Sequence, residues 1–328
     1  MAVYVRDGAL LAMEEINRSG GIMGHPLRLL VRNDGGTKEG IEKADLDLIG
    51  RGVIAIIGHR NSRDTLWAYP LVMQKGILLL SPACASSQLT GKDDLFIRTT
   101  FINDDLGEKI TRYFSEKHIT NVLCIVDYSN EAFSLDLFEK LKKHSSLVYY
   151  PFFVNTEKDN TYPLLAELAV LSQPQAILFI TGPAVTAFLA QGVRNSGCNA
   201  PMYATSWAQT QDLFRYGGRA VVGMKIFSFV RPDTPYPPFR HFVDRLERMG
   251  FTPNIRNALG YEAVMIIAEG LKRAKELTPK ALKEAMINNK FEGVIAPIPL
   301  NKYGDPCRPL WLLELFENGH MRTLRTLK

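Results

Sequence analysis

Short apolar segments alternate with amphipathic helical segments along almost the whole chain. Residues 53–57 and 76–80 are apolar runs too short for a helix that packs by itself, so each predicts a buried strand of a parallel sheet. Residues 7–17, by contrast, carry their apolar side chains at helical spacing. Repeated alternation of this kind predicts an α/β fold, with helices covering both faces of a parallel sheet.

The alternation occurs in two runs, which indicates two lobes. The second run begins after a polar loop, and the proline-rich residues 232–238 predict a connection between the lobes. Residues 27–31 and 95–99 are two further predicted strands of the first run. The end of the chain predicts antiparallel strands with a hairpin turn at Asn318 and Gly319. Because helices and strands return late in the chain, we expect the chain to pass between the lobes more than once.

Composition excludes several classes of protein. The chain has 328 residues, of which 46% are hydrophobic and 22% charged, as in an ordinary globular protein. The net charge of +5 is spread among acidic residues without a basic stripe, so no nucleic-acid partner is expected. No apolar run approaches the roughly 18 residues of a membrane span, and the first residues do not resemble a signal peptide. The four cysteines include no CxxC pair and no Cys/His cluster, so no metal is expected.

Two loops follow neighbouring predicted strands and carry small and hydroxylic residues. The first is the segment GHRNSRDT (58–65), and the second is SPACASS (81–87). Open α/β sheets bind ligands at the carboxyl ends of their strands, and helix-start amides with serine hydroxyls suit an anion. These loops predict a small-molecule site. Cys84 lies in the second loop, where we interpret it as a small buried side chain, and Cys124 is interpreted as core.

Catalytic and cofactor motifs are absent from the sequence. It contains no G-x-G-x-x-G, no Walker loop and no G-x-S-x-G elbow. His59 stands beside the first loop, but no nucleophile and acid accompany it at a recognisable spacing. We therefore expect neither an enzyme nor a bound cofactor.

The order and spacing of several segments resemble those of the type I periplasmic solute-binding proteins, specifically the leucine/isoleucine/valine-binding branch. The resemblance covers nearly the whole chain. It rests on GALLAMEEIN (8–17), GGIMG (20–24), IIG (56–58), GIL (76–78), SPA (81–83), FIRTT (96–100), VD (126–127), SWA (206–208), GYEA (260–263) and YGD (303–305).

The resemblance implies two doubly wound parallel-sheet lobes joined by a hinge of three crossovers. One lobe would comprise residues 1–103 and 231–303, and the other residues 104–230 and 304–328. A ligand would be enclosed in the cleft between them by hinge closure. The implied function is an extracytoplasmic, periplasmic receptor that passes its ligand to the membrane permease of an ABC transporter. The alternative is a ligand-sensing domain of a membrane signalling protein.

In the first lobe, the resemblance implies that both loops grip an α-carboxylate through hydroxyls and amides. Ser62 matches the family's carboxylate-binding serine, whereas Ala85 stands where amino-acid binders commonly carry threonine or serine. Arg60 departs from the family, and either binds a carboxylate bidentately or is an exposed loop arginine. The candidate contacts in this lobe are Arg60, Asn61, Ser62, Ala83, Cys84, Ala85 and Ser86.

In the second lobe, the match to amino-acid binders is altered. Thr205 or Ser206 stands where an acidic residue usually pairs with the ligand's ammonium, and Glu131 and Gly182 replace common aromatic residues. Trp207 either forms an aromatic wall with Phe133 or belongs to the core. The expected ligand is therefore a small carboxylate, either an amino acid or a related or aromatic acid. The candidate contacts are Asp127, Glu131, Phe133, Gly182, Thr205, Ser206 and Trp207.

The start of the chain departs from the family, whose members have a strand before the first helix. That strand is central in the first lobe, so either the start of this sequence is truncated or mis-assigned, or another segment fills the gap. A gap would leave unpaired backbone groups and an exposed sheet edge. We expect reduced stability or self-association, with a homodimer as one outcome.

Overall fold

The helices and strands follow the predicted alternation. The structure is a computed structural model that describes residues 2–145, 147–155, 162–251 and 253–327. The helices are α1 (Ala2–Arg18), α2 (Lys38–Gly50), α3 (Ser62–Gln74), α4 (Asn103–Glu116), α5 (Glu131–Lys143), α6 (Tyr162–Leu171), α7 (Pro183–Asn195), α8 (Gln211–Gly217), α9 (Pro237–Arg248), α10 (Ile255–Arg273) and α11 (Pro279–Met286). The strands are β1 (Ala55–Ile57), β2 (Leu78–Ser81), β3 (Phe96–Arg98), β4 (Asn121–Asp127), β5 (Val148–Val154), β6 (Ala176–Ile180), β7 (Met202–Thr205), β8 (Lys225–Ser228), β9 (Lys290–Phe291), β10 (Ile298–Pro299), β11 (Leu310–Leu315) and β12 (Met321–Leu327).

The chain divides into two units and passes between them three times. Unit 1 is Met1–Ile102 with Pro235–Arg308, and unit 2 is Asn103–Thr234 with Pro309–Lys328. Residues 103 and 231–234 lie in unit 2, whereas the sequence predicted them in the first lobe. Residues 304–308 lie in unit 1, whereas the sequence predicted them in the second lobe. Their side chains explain the difference, because Asp305 pairs with Arg98 of β3 at 2.8 Å.

Unit 1 contains a parallel sheet in the order β1-β2-β3. Ala55 pairs with Leu78, and Leu79 pairs with Phe96. Side chains alternate between the two faces, as the period of a strand requires. Leu78 packs in a cluster with residues of α10 and α11, whereas Leu79 packs in a cluster with residues of α2 and α3. Both faces of this sheet are covered by helices.

The predicted strand at residues 27–31 is not formed. Residues 26–34 have no regular secondary structure, and β1 pairs only with β2. The prediction was wrong because a strand requires a hydrogen-bonded neighbour. Within the described ranges, residues 27–31 make no backbone–backbone hydrogen bond, and the backbone of Leu27 is bonded to the side chain of Asn17 instead.

Unit 2 contains a seven-stranded sheet in the order β12-β11-β8-β7-β6-β4-β5. The strands from β8 to β5 are parallel to their neighbours, whereas β11 is antiparallel to both β8 and β12. The predicted hairpin near the end of the chain is confirmed, since Gly319 at its turn has a φ of 77° and its amide donates to Phe316 O at 2.9 Å.

Candidate ligand-binding site

The loops that follow β1 and β2 lie together in unit 1. The amide of Ala85 donates to Ser62 Oγ at 3.1 Å, which joins one loop to the other. The hydroxyls of Thr65, in the first loop, and Ser81, in the second loop, lie 3.2 Å apart. The candidate residues that the sequence placed in two separate segments are therefore parts of one cluster.

The first loop ends at the N-terminus of α3. Asn61 caps this helix, because its side chain accepts a hydrogen bond from the Asp64 amide at 2.8 Å. Ser62 is 1% exposed, and within the described ranges its hydroxyl hydrogen has no acceptor. A hydroxyl donor beside the positive end of a 13-residue helix is suited to bind an anion.

The second loop is shaped by serine hydroxyls. Ser81 Oγ accepts hydrogen bonds from the amides of Cys84, at 3.1 Å, and Ala83, at 3.4 Å. Ser86 Oγ accepts from the Gln88 amide at 3.4 Å. Cys84 is fully buried in the cluster with α2 and α3, which confirms its interpretation as a small buried side chain.

Arg98 supports the second loop, and the sequence analysis missed it. Its guanidinium is fully buried and donates to Ser86 O at 2.8 Å and to Cys84 O at 3.4 Å. Asp305 neutralises its charge. The sequence does contain a signal for this role, because Arg98 lies inside the predicted buried strand 95–99. A buried charge requires a partner, so such a residue is expected to pair with polar groups nearby.

Arg60 is paired within its own loop. Its Nε lies 3.0 Å from Asp64 Oδ2, and its side chain is one-third exposed whereas that of Asp64 is fully buried. The guanidinium also packs on Gly36, where a Cβ atom would lie 2.9 Å from Nη1. Arg60 is thus an anchored loop residue that shares the carboxylate of Asp64 with Arg63.

His59 is buried between two carboxylates. Its Nδ1 lies 3.3 Å from Asp34 Oδ2, and its Nε2 lies 3.2 Å from Asp45 Oδ2. Burial by itself lowers the pKa of the imidazole, but hydrogen bonds to both carboxylates and their negative charges outweigh burial and raise the pKa to about 9. At neutral pH His59 is therefore a cation held in place, not a free general base.

The free energy of unfolding is expected to depend on His59 above neutral pH. Because the folded pKa is raised from 6.5 to about 9, the stabilisation is complete below pH 6.5 and is lost as the pH rises through 9. The shift corresponds to about 3 kcal/mol. Urea unfolding of wild type and His59→Gln at several pH values measures this, with the stability difference expected to shrink from pH 6 to pH 10. A difference that stays constant would contradict the assignment.

The candidate residues of unit 2 follow neighbouring parallel strands. Asp127 ends β4, Gly182 follows β6, and Thr205 ends β7, and these three strands are adjacent in the sheet. Thr205 is fully buried, and its Oγ1 has no hydrogen-bond partner in the part of the chain that the structure describes. Buried hydroxyls are nearly always paired, so this one is a candidate contact for a ligand or a water.

Trp207 and Phe133 contact each other in this cluster. Their ring centroids lie 5.7 Å apart, and the ring planes are at 89°, which is a favoured edge-to-face arrangement. Phe133 is buried, whereas Trp207 is partly exposed. A Cβ atom at Gly182 would lie 3.6 Å from Trp207 Nε1, so the glycine leaves one edge of the indole open. The pair therefore leaves part of the indole accessible at the surface of unit 2.

The two acidic candidates, Asp127 and Glu131, differ in their burial and hydrogen bonding. Asp127 is 1% exposed, and its Oδ1 accepts a hydrogen bond from the Ser129 amide at 2.8 Å. Glu131 is the first residue of α5 and is partly exposed. Ser206 is also partly exposed and begins a short 3₁₀ turn that leads to Ala208.

The described ranges hold no group of three or more His, Cys, Asp or Glu side chains placed to bind a metal ion. None of their helices combines the length and apolar character needed to cross a membrane.

Comparison with known proteins identifies the family. Residues 3–320 match the family model described as periplasmic binding protein. The chain is 26% identical over 333 residues to Leu/Ile/Val-binding protein homolog 1 of Brucella suis, covering 97% of this chain and 87% of that protein.

Solved structures show the same fold. The leucine-binding protein LivK of Thermotoga maritima aligns with a TM-score of 0.89 at 21% identity, covering 99% of this chain and 93% of that one. A solute-binding protein of an ABC transporter from Rhodopseudomonas palustris, in complex with 3,4-dihydroxybenzoic acid, aligns with a TM-score of 0.86 at 16% identity, covering 99% and 92%. The α/β fold expected from the sequence is thereby confirmed. Because the family match spans nearly the whole chain, this protein belongs to the periplasmic binding protein family and is a binding protein rather than an enzyme.

Proposed function

We propose that this protein is a periplasmic receptor that captures a small carboxylate-bearing molecule and delivers it to the membrane permease of an ABC transporter. The observation that carries the proposal is the hydrogen bond from the Ala85 amide to Ser62 Oγ at 3.1 Å. This bond holds the hydroxyl of Ser62 between two loops, at the N-terminus of α3.

The chemistry of this cluster fits a carboxylate. Ser62 Oγ accepts the Ala85 amide, so its own hydrogen can be donated to a ligand oxygen. The N-terminus of α3 adds a favourable electrostatic field for an anion. We do not propose Arg60 as the main partner, because its guanidinium is already paired with Asp64. The ligand's carboxylate would therefore be bound by neutral hydrogen-bond donors and by the electrostatic field at the N-terminus of α3.

The cluster in unit 2 supports a ligand with a flat or branched hydrocarbon part. Trp207 and Phe133 offer an apolar wall, and the hydroxyl of Thr205, which has no partner among the described residues, offers one polar contact. The similar proteins support two ligand classes, since one is named as a Leu/Ile/Val-binding protein homologue and one solved structure holds a dihydroxybenzoic acid. We propose an amino acid or an aromatic acid as the ligand class, with Glu131 as the available acid for an ammonium group.

A thermal-shift screen against single amino acids, aromatic acids and short aliphatic carboxylates tests the proposal. A bound ligand raises the melting temperature by mass action, so a tight binder is visible without a labelled probe. The corresponding carboxamides are the matched ligand controls, and loss of the shift with the carboxamide assigns the interaction to the carboxylate. A folded sample that responds to no compound in these classes would contradict the proposed ligand class.

Replacing Ser62 by alanine is expected to weaken the binding of a ligand found in this screen. Loss of one buried hydrogen bond costs about 1 kcal/mol, which is roughly a fivefold increase in Kd. Titration calorimetry of wild type and Ser62→Ala measures the change. Ser196→Ala is the control, since Ser196 caps the C-terminus of α7 and its hydroxyl donates to Val193 O, away from both clusters. Equal affinity in wild type and Ser62→Ala would remove Ser62 from the site.

A further inference from the structure

Arg256 lies in the first turn of α10, and the proposed function does not use it. Its side chain is partly exposed, so a ligand can reach it. Burial nevertheless lowers the pKa of its guanidinium to about 10, because the surrounding protein removes much of its hydration. Arg256 is therefore a cation at neutral pH that is accessible and yet poorly hydrated.

The charge of Arg256 has no counterpart in the part of the chain that the structure describes. Its guanidinium makes no hydrogen bond or ion pair there, and no carboxylate opposes the effect of burial on its pKa. Other cations of unit 1 with little exposed surface are paired with carboxylates, and these are His59, Arg63, Arg98 and Arg308. A poorly hydrated charge without a partner is unfavourable, so an anionic ligand would stabilise it.

Helix α10 carries Arg256 past the carboxyl edge of the β1-β2-β3 sheet. Glu262 pairs with Arg308, which donates to Thr99 O at 2.8 Å, and Thr99 directly follows β3. Later residues of the helix, such as Leu271, pack in the cluster with β2. The helix thus runs back along the sheet from this edge, and Arg256 lies about 9 Å beyond Glu262 at 1.5 Å per residue.

The face of α10 that carries Arg256 is the face that packs on the sheet. Ala263 and Ile267 belong to the cluster on the sheet, and they follow Arg256 by two and three helical turns on the same stripe. Arg256 continues this stripe where the sheet has ended. Its side chain is therefore placed over the carboxyl edge, which also carries the loops of Ser62 and Ala85.

Arg256 and Ser62 approach this edge from opposite faces of the sheet. Ser62 begins α3, whose residues pack in the cluster on one face, whereas α10 packs in the cluster on the other face. They are thus two separate polar contacts with the thickness of the sheet between them. A carboxylate held at Ser62 is a different group from the one that Arg256 is placed to receive.

We propose that Arg256 is a specificity-determining residue that binds a second carboxylate of the ligand, so that the ligand is a dicarboxylate. This inference rests on the proposed function, which assigns the first carboxylate to Ser62. The planar guanidinium holds a carboxylate by two parallel hydrogen bonds. A monocarboxylate of the same shape leaves the guanidinium without a partner, and the site discriminates against it for that reason.

Three pairs of acids test the proposal, and the members of each pair differ only by a carboxylate in place of a methyl group. The pairs are valerate and glutarate, norvaline and glutamate, and 4-methylbenzoate and terephthalate. Titration calorimetry with the full chain is expected to show one of the dicarboxylates binding about tenfold more tightly than its partner, as for one charge-assisted contact. We expect Arg256→Met to lose this preference. Arg240→Met, at an exposed position of α9, makes the same change in net charge and is expected to keep it.

The ligand-free protein gives an independent measurement. Because the charge of Arg256 is unpaired, Arg256→Met is expected to raise the melting temperature, whereas Arg308→Met, which breaks a buried ion pair, is expected to lower it. A lower melting temperature for Arg256→Met would assign the arginine a structural role and overturn the proposal.

The binding results separate this inference from the proposed function. If monocarboxylates bind wild type as tightly as their dicarboxylate partners, the role of Arg256 is wrong and the proposed function stands. If no acid of the three pairs binds a folded sample, the proposed function is contradicted and this inference with it.

Discussion

Replacing Arg308 by methionine is expected to lower the free energy of unfolding by about 3–5 kcal/mol. Arg308 and Glu262 form an ion pair whose side chains are both fully buried in unit 1. Arg308 also donates to Thr99 O at 2.8 Å and to Ala296 O at 3.1 Å. Burial raises the pKa of Glu262 while the charge of Arg308 opposes that rise, so removing the arginine leaves a carboxylate without its compensating charge. Urea unfolding measures the loss.

Two further variants make this result specific. Arg322→Met, on the exposed side of β12, changes the same residue type and is expected to alter stability by less than about 0.5 kcal/mol. Adding Glu262→Gln to Arg308→Met removes the uncompensated charge, and is expected to recover part of the loss. If Arg308→Met unfolds at the same urea concentration as wild type, the ion pair does not exist in solution.

Replacing Gly8 or Gly260 by alanine is expected to destabilise the protein by about 3 kcal/mol. The two glycines lie where α1 and α10 approach each other backbone to backbone. A Cβ atom at Gly8 would overlap the carbonyl oxygen of Asn257, and one at Gly260 would overlap that of Val5. The helices would have to separate, which disturbs the apolar contacts between them. Thermal or urea unfolding of each variant measures the cost.

Gly192→Ala is the matched control, because Gly192 lies inside α7 and a Cβ atom there meets nothing within 4 Å. Glycine is unfavourable in a helix, so this substitution is expected to stabilise the protein by about 0.5–1 kcal/mol. If Gly8→Ala lowers the free energy of unfolding while Gly192→Ala raises it, packing rather than helix propensity decides the effect at Gly8. A stabilising Gly8→Ala would contradict the close approach of α1 and α10.

The sequence proposed candidate residues for the site but not the contacts between them. Strand, loop and helix patterns selected the two loops, because ligand loops follow the carboxyl ends of parallel strands. The resemblance to the family then singled out Ser62 and Ala85 within these loops. The hydrogen bond between these two residues joins positions 23 apart, and no local pattern encodes such a distance. The same reason explains why Arg98 was missed, since its acceptors and its partner Asp305 lie in other segments.

Arg60 illustrates a choice that the sequence left open. Its place on the loop fitted either a ligand contact or an exposed arginine, and the structure pairs it with Asp64 one helical turn later. Trp207 was equally open, and in the structure it forms an edge-to-face pair with Phe133 while remaining partly exposed. The residue type alone does not specify either contact, because each contact depends on which neighbouring residues the fold places beside the side chain.

The sequence by itself determined the class of this fold. Periodicity fixes which segments can be helices and which can be strands, and the order of these segments implies a parallel sheet covered by helices. Residues 27–31 show where this reasoning stops. Their pattern is that of a strand, yet no strand in the described part of the chain pairs with them. Only tertiary structure decides whether a strand forms, because its hydrogen bonds are made with another segment and not within its own.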